Sequence, residues 1–238
     1  VEGLEANTVY YAYVQSVCND YTKGAWSDPI MFTTACLPAP TDSIFDFEKA
    51  DKHNLTYNIP SCFVVGHDAL EYNAETSRYF PHLIKNVSTS KETRIYARSG
   101  EYAMCLERYD NNAGGYIALP LIDADIQACQ VKFWMRPIFA SGSGVVANNY
   151  TGATYSREVT VGTMTDPNDP TTFTALATIE YSHDNSYFST NNSIYRDPNN
   201  LNYWEEVTVS LKNAVGNYIA IKNTSSDGLA NNVMYIDD

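Results

Sequence analysis

At 238 residues, with 44% hydrophobic and 18% charged side chains, the chain has the composition of a folded globular protein, not of a disordered one. Its 28 acidic against 15 basic residues leave a net charge of −13, which repels phosphate backbones and anionic lipid and argues against nucleic acid or a membrane surface as partner. A cation is the natural small partner, and no apolar run approaches the roughly 18–20 residues of a membrane span.

The chain opens on Val1 with no charged-then-apolar leader, and it reads as an excerpt from a longer protein. Nineteen Tyr, many Asn and Thr and few helix-forming stretches favour half-buried pleated surfaces joined by turns, hence an all-β exported protein. In residues 1–36, Tyr10, Ala12 and Val14 share a face. A polar turn over Asn19–Asp28 then leads into "PIMFTT" (Pro29–Thr34), so one hairpin is expected. A lone hairpin is marginal in water, so these strands must extend a larger sheet or lean on a neighbouring domain. "CLPAPTD" (Cys36–Asp42), with two prolines and no periodicity, reads as a stiff linker over 37–42.

From residue 43 to 238 strand candidates recur with turn signals between them, the rhythm of a β-sandwich. "SIFDFEKAD" (Ser43–Asp51) is expected to begin the first strand, with Phe45 and Phe47 on one face and Asp46 and Glu48 on the other. Val131, Phe133 and Met135 alternate with polar neighbours. Val159 and Val161, then Phe173, Ala175, Ala177 and Ile179, flank "TDPNDP" (Thr165–Pro170) as a hairpin. Val207, Val209, Leu211, Ile219, Ile221, Met234 and Ile236 also face inward. Ser61–Lys85 alone reads as irregular.

Two resemblances rest on these residues. "LEANTVYYAYVQSVC" followed by "AWSDPIMFTTAC" resembles the last two strands of a fibronectin type III domain, the spacing of Leu4, Thr8 and Tyr10 matching that family's tyrosine corner. The rest is similar to the choice-of-anchor J or cleaved-adhesin family, jelly-roll domains related in shape to MAM domains. These occur in surface proteins of Bacteroidetes, including the haemagglutinin regions of gingipains. The matching pieces are "DFE" (Asp46–Glu48), "IPSCF" (Ile59–Phe63), "SGEYAMCL" (Ser99–Leu106), "ALPLID" (Ala118–Asp123), "VKFWMR" (Val131–Arg136), "VTVGTMTDPNDPTTF" (Val159–Phe173), "YIAIKN" (Tyr218–Asn223) and "YIDD" (Tyr235–Asp238). Phe63 stands where the family carries Trp, and the Gly-rich acidic calcium loop of some gingipain modules is missing. The expected organisation is therefore a jelly-roll β-sandwich over 43–238 preceded by a partial fibronectin type III hairpin over 1–36. The resemblance implies a non-catalytic adhesion module, secreted or on the cell surface, binding glycan or a host or matrix protein beside flanking domains of its own chain.

In a jelly roll the first and last strands commonly pair, which sets "FDFE" beside "YIDD". Asp46 and Glu48 would then meet Asp237. Clustered carboxylates repel unless neutralised, so the seam is either a solvated acidic face or a structural Ca²⁺ site. "TDPNDP" and "DAD" (Asp123–Asp125) both read as turns. Tyrosines crowd the middle of the chain, and Tyr150, Tyr155, Tyr187 and Tyr195, with Tyr181 and Tyr203 nearby, form the candidate ligand surface. Ordinary sheet packing is the competing reading.

Enzyme signatures are sparse: the sequence has no Gly-x-Ser-x-Gly elbow, no His-Glu-x-x-His and no phosphate loop. A thiol dyad of Cys62 or Cys105 with a distant His would need the fold to assemble it. A hydrolase with two carboxylates in an acidic cleft, and a plain spacer, are the rival readings. Of the five cysteines, Cys18 and Cys36 sit at opposite ends of the hairpin and should not bond. Cys36–Cys62 and Cys105–Cys129 are the expected pairs.

Overall fold

The computed structural model describes residues 2–19, 22–48, 59–68, 81–88, 93–94, 96–108, 114–139, 158–181, 204–225 and 232–238. Two compact units emerge, Val1–Pro38 and Ala39–Asp238.

In the first unit, β1 (Val9–Ala12) pairs antiparallel with β4 (Ile30–Thr33), and β2 (Gln15–Asn19) with β3 (Thr22–Trp26). The expected hairpin is thus two short ladders in succession. Residues 22–26, read as turn from their polarity, are strand, and the Gln15 side-chain amide donates to the Gly24 carbonyl at 2.9 Å across the ladder. The Tyr10 hydroxyl accepts a hydrogen bond from the Glu5 amide at 2.8 Å, and its ring stacks on Phe32. Tyr11, Trp26, Ile30 and Met31 stay more than half exposed.

The second unit is a β-sandwich of two five-stranded antiparallel sheets. Its strands are β5 (Val64–His67), β6 (His82–Lys85), β7 (Val87–Ser88), β8 (Thr93–Arg94), β9 (Tyr102–Arg108), β10 (Gly115–Ala118), β11 (Gln130–Phe139), β12 (Glu158–Met164), β13 (Thr174–Glu180), β14 (Glu205–Ser210), β15 (Tyr218–Asn223) and β16 (Asn232–Asp237). One sheet runs β13-β12-β15-β10-β5 and the other β14-β11-β16-β9-β6, with β7 and β8 forming a separate small ladder. The period-two pattern sends Met104, Leu106, Phe133, Met135, Val207, Met234 and Ile236 from one sheet against Ile117, Val159, Val161, Ile219 and Ile221 from the other. That apolar interior is the main source of stability. Ile221 is 2% exposed, so Ile221→Val is expected to cost about 0.5–1.5 kcal/mol, read as a lower urea midpoint at unchanged m-value. A second apolar cluster, with Tyr96, Ala103, Cys105, Trp204, Val233 and Tyr235, covers the outer face of the β9–β16 region.

Three expectations are corrected. Ser61–Lys85 contains β5 and β6. "VVGH" (Val64–His67) is a four-residue strand at the edge of its sheet, too short and without the alternation that marks a half-buried strand. Residues 43–48 form no strand: Phe45 and Phe47 turn inward against Phe63, but Phe47 has φ +57°, which breaks the extended backbone. Cys105 and Cys129 are free thiols, as is Cys18, whereas Cys36 and Cys62 are each disulfide-bonded. β16 lies between β9 and β11, and through Tyr235 the register sets Cys105 level with Arg136, six residues or about 20 Å along β11 from its start at Gln130, far beyond disulfide reach. The turn readings agree with the structure. Asp169 caps a 3-10 turn at Pro170–Thr172 inside the β12–β13 hairpin, and Asp125 caps another at Ile126–Ala128.

Candidate functional site: an amide-rich turn and its adjoining cleft

Residues 96–102 lead into β9 as a turn whose backbone N–H groups point outward and need acceptors. Three side chains supply them, two amides each. Asn86 Oδ1 accepts from the Tyr96 and Ala97 amides at 2.7 and 3.0 Å. Asp237 Oδ2 accepts from Arg98 and Ser99 at 2.7 and 3.1 Å. Glu48 Oε1 accepts from Glu101 and Tyr102, both at 2.9 Å, with Oε2 also 3.0 Å from the Glu101 amide. The Asn86 side-chain amide closes the turn by donating to the Gly100 carbonyl at 3.1 Å.

Gly100 makes this possible. Its φ of +58° is the left-handed region, and a Cβ there would lie 2.3 Å from the Glu48 carboxyl carbon. Only a residue without a side chain lets the carboxylate lie against the turn.

Glu48 and Asp237 are therefore brought to one place, but not by pairing of first and last strands. β16 pairs with β11 and β9, and residues 45–48 reach Asp237's neighbourhood through the turn. Asp46 is exposed and bonds locally, its Oδ1 accepting from the Glu48 amide at 3.2 Å. Asp237 is fully buried, and its Oδ1 takes a third amide, that of Asp238. Burial drives its carboxyl up to about 7, with the Asp238 charge adding to the rise and the amide hydrogen bonds opposing it. Asp238 in turn accepts from Ser99 Oγ at 2.7 Å and from Arg98 Nη1 at 2.5 Å.

The Arg98 guanidinium lies 3.8 Å from the centre of the Trp134 ring. This stack stands at a cleft of about 660 Å³ between the Pro40–Phe47 segment and β11, whose floor reaches Ile219, Ile221 and Ile236. Lys132 on its wall is ion-paired with Glu206. Of the tyrosine surface, Tyr150, Tyr155, Tyr187, Tyr195 and Tyr203 lie outside the described residues, and Tyr181 is a buried core residue.

The fold also assembles a group that sequence reasoning reached only in part. His82 is the direct cross-strand partner of Cys105, and their ligand atoms lie with that of Glu107 within 4.8 Å of one another. Burial, with help from the Glu107 charge, pushes the Cys105 thiol well above its ordinary range. A thiol so held is protonated at neutral pH and is a poor nucleophile, which argues against the dyad chemistry considered for it.

No family model matches the chain, and no curated protein matches it. Among solved structures it is similar to the K1 cleaved adhesin domain of Lys-gingipain from Porphyromonas gingivalis W83. That likeness has 16% identity over 81% of this chain and 92% of that one, with a TM-score of 0.46. It is also similar to the K2 cleaved adhesin domain of Lys-gingipain, at 14% identity over 82% and 94% of the two chains, with a TM-score of 0.47.

Proposed function

We propose that this chain is a non-catalytic, exported binding module that attaches to glycan or protein, its sandwich preceded by the tail of a fibronectin type III domain. The observation that carries the reading is the cleft of about 660 Å³, a volume in the range of ligand sites, lined by both apolar and polar side chains, with the Arg98–Trp134 stack beside it. Of its charged groups, Arg98 is paired with Asp238 and Lys132 with Glu206, which suits recognition better than proton transfer. Asp237, among the described residues the carboxyl raised most toward neutrality, is fully buried with its oxygens on backbone amides, out of a substrate's reach. The Tyr10–Glu5 hydrogen bond supports the fibronectin type III assignment of the first unit.

Glycan-array and matrix-protein binding of the whole chain, beside a Trp134→Ala, Arg98→Ala variant, tests the proposal. Specific binding weakened at least tenfold by the double substitution is the expected result. Turnover of any bound polymer, or binding untouched by the substitutions, overturns it.

A structural Ca²⁺ held by Glu48 and Asp237, with Asp46 at its edge, belongs to the same reading. It is supported by two carboxylates meeting at one turn and by the cost of a buried negative charge that a hard cation would relieve. At a hundredfold excess over Kd such an ion adds about 2.7 kcal/mol, or roughly 5–10 °C in Tm for a chain of this size. Equal melting curves in millimolar Ca²⁺ and in chelator remove the site.

A further inference from the structure

We propose that His82, Cys105 and Glu107 form a three-ligand Zn²⁺ site on the outer face of the second sheet, with its fourth coordination position open. The register builds it. His82 and Cys105 are directly opposed on β6 and β9, and Glu107 follows Cys105 by two residues, so all three side chains leave the same face. Their ligand atoms lie within 4.8 Å of one another, and Cys105 Sγ is 4.0 Å from Glu107 Oε1. Zinc bonds of 2.0–2.3 Å set tetrahedral ligand atoms about 3.3–3.8 Å apart, so small rotations of the half-buried His82 and Glu107 side chains close the site.

The donor set selects the ion. A thiolate and an imidazole favour Zn²⁺ over Ca²⁺, which separates this group from the all-oxygen seam at Glu48 and Asp237. On binding, the Cys105 S–H bond breaks and its proton passes to solvent, the sulfur pair forms the metal bond, and His82 binds as neutral imidazole. Thiolate and Glu107 carboxylate together balance the two positive charges, leaving a neutral centre beside the apolar Ala103, Val233 and Tyr235 cluster. Arg136 stands in the same cross-strand row, but Tyr235 intervenes, and the guanidinium lies over the Trp204 and Tyr235 rings and donates to the Tyr96 carbonyl at 3.2 Å. The ion would fasten the edge strand β6 to β9.

The test uses metal-stripped whole chain with Cys18 and Cys129 changed to Ser and the disulfide left intact. Titration with Co²⁺, a spectroscopic stand-in for Zn²⁺, is expected to give a sulfur-to-cobalt charge-transfer band and tetrahedral visible bands saturating at one equivalent. Zn²⁺ abolishes both. Cys105→Ser removes the charge-transfer band, and His82→Ala or Glu107→Gln, each checked for fold by circular dichroism, weakens binding about a hundredfold. No charge-transfer band in the parent, or one that survives unchanged in both the His82 and Glu107 variants, overturns the site. The parent titration decides the matter even if the Cys105 variant does not fold.

Discussion

Gly100→Val is expected to lower stability by about 3–5 kcal/mol and Tm by about 10 °C. Two costs combine. A β-branched residue at φ +58° carries about 1–2 kcal/mol of backbone strain, and its Cβ would occupy the space of the Glu48 carboxyl group. Once Glu48 is displaced, the Glu101 and Tyr102 amides lose their acceptor, at about 1–3 kcal/mol for each that stays dry. Because both costs act through one carboxylate, Gly100→Val and Glu48→Ala should be strongly non-additive in a double-mutant cycle. Urea unfolding checks this. A loss below 0.5 kcal/mol, or simple additivity with Glu48→Ala, would show that the turn does not depend on that contact.

Asp237→Ala is expected to cost about 3–5 kcal/mol, because three amides, those of Arg98, Ser99 and Asp238, lose their acceptor in a fully buried place. The same residue should write a pH dependence into stability. With its carboxyl raised from 3.8 in the unfolded chain to about 7 in the folded one, the native state holds a proton between those values that the unfolded state has lost. Its contribution is complete below pH 4, declines as pH rises, and is gone above pH 7, a fall of about 4 kcal/mol. Asp237→Asn carries no such proton and should lack this slope. Urea midpoints of both chains at pH 4.5, 6 and 8 make the comparison, and parallel pH profiles would refute the assignment. A bound Ca²⁺ would hold the carboxylate ionised and flatten the wild-type profile, so repeating the series with Ca²⁺ also probes the proposed cation.

Much of the sandwich is written in local alternation. Val131, Phe133 and Met135, or Met234 and Ile236, announce their inward face because a strand has a strict period of two and each lies in a sheet with one side on the core. The strand expected at Ser43–Asp51 shows where that logic stops. Phe45 and Phe47 do turn inward, yet one positive φ at Phe47 ends the extended path and swings Glu48 onto a turn. The acid pair Glu48 and Asp237 was legible as a meeting point. What they meet was not, because the acceptors answer to backbone N–H groups, which every residue but proline carries and no side-chain pattern marks. Likewise Cys105 and Glu107 share a face by counting, but only the β6–β9 register adds His82. The Cys105–Cys129 expectation failed for the same cause: proximity across a sheet depends on strand order, which is a property of the whole fold.

The turn at 96–102 also bears on the order in which the chain becomes native. Asn86 is ten residues from Tyr96, whereas Glu48 is 54 from Tyr102 and Asp237 is 139 from Arg98. A knot of amides held from three such separations cannot assemble until β6, β9 and β16 have paired and residues 45–48 have docked, since each long closure costs entropy that only the finished fold offsets. It is a late-forming lock. Substitutions at Gly100, Glu48 and Asp237 should therefore leave the refolding rate nearly unchanged and appear as faster unfolding. The turn thus governs how long the folded domain survives more than how quickly it is made.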